Sequence, residues 1–135
     1  MSVPVALDRL RDEMAGRPLA YLLTVTADQR PHCVAAAVSW VGDELVMGAG
    51  RSTVANAEAR PQVSLLWPPS EAGGYTLIVD GVATAGVGQE GPAVRVRPVK
   101  AVLHRPAASV EPGASGCVSD CIPVYPGSPS AADGG

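Results

Sequence analysis

The chain has 135 residues, which is enough for one domain with a real core and too few for a second catalytic domain. Its 10 Lys and Arg against 13 Asp and Glu give a net charge of −3, which argues against non-specific nucleic-acid binding because such binding needs a basic surface. No apolar run approaches the ~20 residues of a membrane span, and the charged residues from Asp8 onward do not fit a signal peptide, so we expect a cytoplasmic protein.

The first predicted element is a short amphipathic helix. Pro4 suits a first helical turn, and Leu7, Leu10 and Met14 follow at helical spacing. Gly16 is expected to end the helix. We expect this helix to cover one end of a sheet.

Six segments have the composition or the flanking turns of β-strands. They are residues 21–26, 32–41, 44–47, 62–67, 75–85 and 93–104. Short turns join the first three, which predicts an antiparallel meander. Asp80-Gly81 interrupts the fifth strand and predicts a bulge or bend, and Pro98 marks an edge or a bulge in the sixth. Six strands with two short helices predict a mainly β protein, a closed or half-closed antiparallel barrel.

A second short helix is predicted between the third and fourth strands, ending at Arg60-Pro61. Ser52 stands where a helix N-cap is expected. The amides of the helix start, beside Arg51 and the hydroxyls of Ser52 and Thr53, would offer positive potential and donors to a small anion. The plainer interpretation is an ordinary capped helix between two strands.

The composition changes at Pro106, which predicts a domain of residues 1–105 followed by a tail of residues 106–135. Pro, Gly, Ser and Ala supply 20 of the 30 tail residues, a composition that buries too little apolar area to offset the entropy of ordering. Cys117 and Cys121 form a Cys-x3-Cys pair in an apolar segment that could dock on the barrel or on a partner subunit. Their spacing leaves free or oxidisable thiols, a small-ring disulfide and metal ligation open.

Three further side chains are candidates for ligand contact. His32 follows Pro31 at the start of a strand and could contact a ligand there, although a half-exposed strand-end histidine is the plainer interpretation. Arg95 and Arg97 share one face of the last strand because alternate strand residues point the same way. They would either add positive charge to a cleft or form a solvated edge face.

Several segments occur in a distinctive order: the first helix, the 21–26 strand, Arg30-Pro31-His32, the helix from Gly50-Arg51-Ser52-Thr53 to Asn56, Arg60-Pro61-Gln62-Val63-Ser64-Leu65 and Ile78-Val79-Asp80-Gly81-Val82-Ala83. Over residues 5–104 this order resembles the pyridoxamine 5′-phosphate oxidase-like, FMN-binding split-barrel superfamily, above all its compact actinobacterial members. The resemblance implies a six-stranded antiparallel split β-barrel with two short α-helices. It also implies a homodimer that holds two flavin or deazaflavin cofactors in the clefts between its subunits.

The resemblance further implies a cofactor site with a phosphate end and a ring end. The phosphate end would consist of Arg51, Ser52 and Thr53, with Asn56 steadying the turn. The ring end would consist of backbone groups around residues 24–26 and 35–38, among them Thr24, Val25 and Ala36, with Trp67 lining the cleft. Relatives often carry two or three basic residues at this helix start, whereas here Arg51 is alone until Arg60.

In this superfamily the cofactor supplies the redox chemistry, so no catalytic side chain and no metal site are predicted. The implied activity is that of an FMN-dependent oxidoreductase that transfers a hydride to or from a small organic substrate, with deazaflavin coenzyme F(420) as the alternative cofactor. The alternative function is a non-catalytic split-barrel protein that binds a flavin, haem or tetrapyrrole and carries a thiol-containing docking tail. One scaffold hosts several functions, so fold alone does not choose between the two.

Overall fold

The computed structural model describes residues 1–107, which form eight β-strands and two α-helices. The elements are β1 Ser2–Val5, α1 Leu10–Met14 after a 3₁₀ turn at Leu7–Arg9, β2 Ala20–Val25, β3 Pro31–Ala36, β4 Val38–Val41, β5 Glu44–Gly48, α2 Arg51–Ala59, β6 Gln62–Trp67, β7 Thr76–Gly88 and β8 Gly91–His104. Neither helix in this part of the chain is long and apolar enough to cross a membrane. Most of the predicted tail, with Cys117 and Cys121, lies outside the described residues.

All eight strands belong to one antiparallel sheet in the order β3-β2-β6-β7-β8-β5-β4, with β1 also paired to β8. The two edge strands of this order, β3 and β4, are consecutive in the chain and are separated by Ala37 alone. The sheet therefore has to curl until its edges meet, which makes it a barrel that is split between β3 and β4. This confirms the predicted mainly β, antiparallel split-barrel class.

The predicted meander is wrong because residues 32–41 form two strands instead of one. β3 pairs with β2, and β4 pairs with β5 on the opposite edge of the sheet. The segment contains no Gly or Pro between His32 and Val41, so its sequence gives no sign of the break at Ala37. This split accounts for one of the two strands beyond the six predicted.

The other additional strand is β1, and it corrects the prediction for Pro4. Pro4 lies opposite Val102 in an antiparallel pair with β8, so it does not begin a helix. β1 has no second neighbour within the described sheet, and proline is tolerated in an edge strand because its missing N–H need not bond there. The helix is confined to Leu10–Met14, where Leu10 is fully buried.

The core lies inside the curled sheet, where alternate strand residues point inward. The fully buried side chains with less than 2% exposure include Leu22, Leu65, Leu77, Val79, Val94 and Val96. Leu10 of α1 and Ala57 of α2 join this cluster, so both helices pack on the barrel. Full burial of each Leu or Val stabilises the folded state by about 1.5–3 kcal/mol relative to an exposed side chain. The alternation of buried and more exposed residues along β2 and β6 is the property that builds the core.

The predicted irregularity at Asp80-Gly81 is confirmed as a β-bulge between β7 and β8. Asp80 lies opposite Lys100 while Gly81 lies opposite Pro98, so Val99 is the extra residue. A Cβ atom on Gly81 would lie 2.5 Å from Val96 Cγ1 and 2.7 Å from the Arg97 carbonyl oxygen. Only glycine fits this close approach of β7 to β8.

Candidate functional site

Helix α2 begins at Arg51 without a side-chain cap. Its N-cap is Gly50, which has an extended backbone (φ −74°, ψ 171°), and Val54 N–H donates to the Gly50 carbonyl over 3.0 Å to close the first turn. The prediction that Ser52 is the N-cap is wrong, because the N-cap is Gly50, two residues earlier, and Ser52 lies within the first helical turn. The first-turn amides of Arg51, Ser52 and Thr53 thus have no side-chain acceptor at the N-cap.

The three predicted phosphate residues differ in burial. Arg51 and Ser52 are exposed, and no carboxylate within residues 1–107 pairs with the Arg51 guanidinium. Thr53 is only 3% exposed, so its side chain faces the barrel and its backbone amide alone remains at the helix start. The helix start therefore has one exposed guanidinium and one exposed hydroxyl beside first-turn amides that lack a side-chain cap.

Asn56 joins α2 to the end of β2. Its side-chain Nδ2 donates to Thr24 Oγ1 over 3.1 Å, and both residues are buried. A buried polar group without a hydrogen-bond partner is costly, so this contact stabilises the position of α2 on the barrel. The structure thereby brings together two of the predicted site residues, which lie 32 positions apart in the chain.

Arg60 makes a second link between the same two elements, and sequence reasoning missed it. Its Nε donates to the Val25 carbonyl over 2.7 Å, and its Nη2 donates to Asn56 Oδ1 over 3.5 Å. The available signal was spacing, because residues four apart on a helix share one face and Arg60 follows Asn56 at that distance. Arg60 is part-buried, and its guanidinium therefore lies at the junction of α2 and β2.

His32 belongs to the same junction. It lies directly opposite Thr24 in the β2–β3 pair, on the face that points inward. Its Nδ1 atom is buried and has no hydrogen-bond partner within the described part of the chain. The end of the barrel beneath α2 is consequently polar, in contrast to the apolar interior farther along β2.

A cavity of about 450 Å³ opens on the outer side of the sheet beside Thr24 and Val25. Its remaining lining is mostly apolar, with Leu23, Val25, Pro31, Val82 and Val99. Ser64 and Asp80 supply a polar edge, where Ser64 Oγ donates to Asp80 Oδ1 over 2.7 Å. The volume and the mostly apolar lining are typical of a small-molecule site. Arg51 and Ser52 do not line it.

Two other predicted site residues are core residues. Ala36 is 8% exposed and Trp67 is 2% exposed, and both belong to the apolar cluster inside the barrel. Neither lines the 450 Å³ cavity. The Trp67 backbone carbonyl instead accepts a hydrogen bond from Arg17 Nη1 over 3.4 Å.

Arg95 and Arg97 are both exposed on the same face of β8, as predicted. Arg95 Nη1 lies 3.1 Å from Glu44 Oε1 and forms an ion pair with it. Neither arginine lines the cavity beside Thr24. Their charge is therefore not available at that cavity within a single chain.

Two mycobacterial proteins are similar to this chain along most of its length. They are uncharacterized proteins of Mycobacterium bovis and Mycobacterium tuberculosis, each 41% identical over an alignment of 134 residues that covers 87% of this chain and 93% of the relative. No protein-family model matches the chain. This identity and coverage place the three proteins in one family.

Solved structures with the same architecture are more distant in sequence. A Listeria innocua protein provisionally named pyridoxamine 5′-phosphate oxidase has a TM-score of 0.60 and 14% identity, covering 72% of this chain and 96% of that one. The Vibrio cholerae haem storage protein HutZ has a TM-score of 0.56 and 18% identity, with 70% and 91% covered. An F(420) reductase has a TM-score of 0.56 and 20% identity, with 67% and 94% covered. At these identities the likeness shows a shared fold.

Proposed function

This chain belongs to one family with the two mycobacterial proteins and shares the fold of split-barrel proteins, and from that premise we propose that it is a member of the pyridoxamine 5′-phosphate oxidase-like superfamily and a flavin- or deazaflavin-dependent oxidoreductase. FMN is the proposed cofactor and deazaflavin coenzyme F(420) the alternative. When bound, either group supplies hydride transfer to or from a small organic substrate. The protein's own residues would hold the cofactor, orient it and exclude water.

The uncapped start of α2 is the observation that carries this proposal. Arg51 and Ser52 are exposed beside first-turn amides that no N-cap side chain occupies. A phosphate would accept from these amides and from the Arg51 guanidinium, in the arrangement that helix starts commonly use to bind anions. One charged hydrogen bond of this kind contributes about 1.5–3 kcal/mol, so Arg51 is expected to supply a large share of cofactor affinity.

The ring end of the cofactor is proposed to lie in the 450 Å³ cavity beside Thr24 and Val25. Five residues of helix, about 7.5 Å of rise, separate Arg51 from Asn56, which contacts Thr24. A ribityl-type chain can span that separation between a phosphate and a flat ring. The Asn56 and Arg60 contacts would then hold the two ends of the site in one rigid unit.

A homodimer is proposed from the outer face of the sheet. One row of residues paired in register across six strands is entirely apolar, and none of its members is fully buried: Ala35, Tyr21, Leu66, Ile78, Val102 and Pro4. The row is about 24 Å wide because neighbouring strands lie ~4.8 Å apart. An apolar surface of this extent marks an interaction site, and a second copy of the chain would cover it.

Equilibrium titration of the purified protein with FMN and with coenzyme F(420) tests the proposal. We expect a saturable change in cofactor absorbance or fluorescence at micromolar concentration for at least one of them. No change at high micromolar concentration with either cofactor would contradict the enzyme proposal. Saturable binding without hydride transfer to any of a panel of quinone and nitro acceptors would favour the alternative, a non-catalytic binding protein.

A further inference from the structure

A second cavity, of about 550 Å³, lies between the 3₁₀ turn before α1, the β4–β5 turn and β8. It shares no lining residue with the cavity beside Thr24, and it includes no residue of α2. Leu7, Trp40 and Pro98 give it an apolar wall, and charged side chains surround that wall. Its size is typical of small-molecule sites.

One wall of this cavity is held in place by Arg11. The Arg11 guanidinium carbon lies 4.4 Å from the centroid of the Trp40 ring, and Nη2 donates to the Gly42 carbonyl over 3.2 Å. The cation–π contact and the hydrogen bond together fix the side chain against the β4–β5 turn. The Arg11 guanidinium therefore already has two partners within the chain, the Trp40 ring and the Gly42 carbonyl.

Three other charged side chains at the cavity have no partner in the described part of the chain. Within residues 1–107, Asp8, Asp43 and Arg97 make no ion pair and no side-chain hydrogen bond. Arg97 differs in this from Arg95 on the same face of β8, which forms an ion pair with Glu44 at 3.1 Å. The cavity thus combines two free carboxylates and one free guanidinium around an apolar wall.

We propose that this cavity is a binding site for a small zwitterion of the amino-acid class. An ammonium group would donate to Asp8 and Asp43, a carboxylate would accept from Arg97, and an apolar side chain would pack on Leu7 and Trp40. A simple anion or a simple amine matches only one sign of the charges present, whereas an amino acid matches both. The site is independent of the proposed cofactor site, since the two share no residue.

The test uses L-phenylalanine as the probe, with 2-phenylethylamine and 3-phenylpropionate as matched compounds that each lack one charge. The chain has two Trp, so its ¹H–¹⁵N spectrum has two indole N–H signals, and Trp40→Phe assigns the one at this cavity. We expect L-phenylalanine to shift the Trp40 signal saturably and to leave the signal of buried Trp67 in place. Each single-charge analogue should bind at least about tenfold more weakly, because it loses a charged hydrogen bond.

Variants of the chain test the same contacts by removing charges from the protein instead of from the ligand. Arg97→Gln and the Asp8→Asn, Asp43→Asn double variant should each weaken L-phenylalanine binding about tenfold, whereas Arg95→Gln should leave it unchanged. All these residues are exposed, and an unchanged spectrum elsewhere verifies that the variants fold. The proposal is overturned by the absence of a Trp40 shift, by equal affinity for the analogues, or by an Arg97→Gln variant that binds as well as the parent.

Discussion

The side-chain amide of Asn56 on α2 donates a hydrogen bond to the hydroxyl of Thr24 on β2 over 3.1 Å, with both residues buried. This contact links the helix whose start is the proposed phosphate site to the strand whose end borders the proposed ring site. Arg60 adds a second link through the Val25 carbonyl. The proposed cofactor site therefore depends on long-range contacts behind the surface that a ligand would touch.

A double-mutant cycle measures the Asn56–Thr24 contact. Asn56→Ala and Thr24→Val should each lower the free energy of unfolding by about 1–3 kcal/mol, since each leaves a buried polar group without its partner. The double variant should lose less than the sum of the two, because the second change removes the group that the first left unpaired. Urea unfolding supplies the values, with Thr84→Val as a control at an exposed threonine of β7. Strictly additive losses would mean that the two side chains do not interact.

Arg60→Lys tests the second link. Lysine keeps the charge, but a single ammonium cannot reproduce the separate contacts of Nε with the Val25 carbonyl and of Nη2 with Asn56 Oδ1. We expect a loss of about 1–2 kcal/mol in unfolding free energy and weaker FMN binding, because the end of β2 is held less firmly. Arg9→Lys, at an exposed arginine of the 3₁₀ turn, is the control and should change neither quantity. If Arg60→Lys behaves like this control, Arg60 does not position β2.

Gly81→Ala should destabilise the barrel at the bulge between β7 and β8. The added methyl group would lie 2.5 Å from Val96 Cγ1 and 2.7 Å from the Arg97 carbonyl, so β8 would have to move. Overpacking of this kind typically costs about 1–3 kcal/mol. Gly86→Ala on the same strand is the matched control, because nothing lies within 4 Å of its Cβ position. Equal melting temperatures for the two variants would show that β8 yields without cost at the bulge.

The apolar row on the outer sheet face is the basis of the proposed homodimer. Ile78→Glu places a charge in the middle of this row, and we expect it to convert a dimer to a monomer, because burying an unpaired carboxylate at an interface is costly. Thr84→Glu lies on β7 outside the row and should leave the dimer intact. Sedimentation velocity gives the masses. A parent protein that is already monomeric would remove the proposed cleft between subunits.

The barrel could be predicted because its cause is local. The strands are predicted from their composition and from the turns that flank them, and the Asp80-Gly81 dipeptide marks the bulge with residues that strands otherwise avoid. The division at Ala37 could not be predicted, because residues 32–41 read as one continuous strand. The two halves, β3 and β4, are separated only because they pair with different strands, β2 and β5, and this pairing is set by tertiary structure.

The site could be predicted only in part, for related reasons. Arg51 and Ser52 are exposed at a helix start, as their spacing indicated, but the N-cap depends on the backbone angles of Gly50. Trp67 reads from sequence as an aromatic residue at a strand end, and only the inward face of β6 places it in the core. The Arg60–Val25 contact joins residues 35 positions apart, and no local pattern encodes it.

The most direct test of the account compares the affinities of FMN and riboflavin, which differ only in the phosphate, for the parent protein and for Arg51→Ala. If the start of α2 holds the phosphate, FMN binds the parent at least tenfold more tightly than riboflavin does, since a charged hydrogen bond is worth about 1.5–3 kcal/mol. Arg51→Ala then removes most of that difference and leaves riboflavin affinity unchanged, whereas Arg9→Ala changes neither. Equal affinities of the parent for FMN and riboflavin, or an undiminished preference for FMN in Arg51→Ala, would contradict the account.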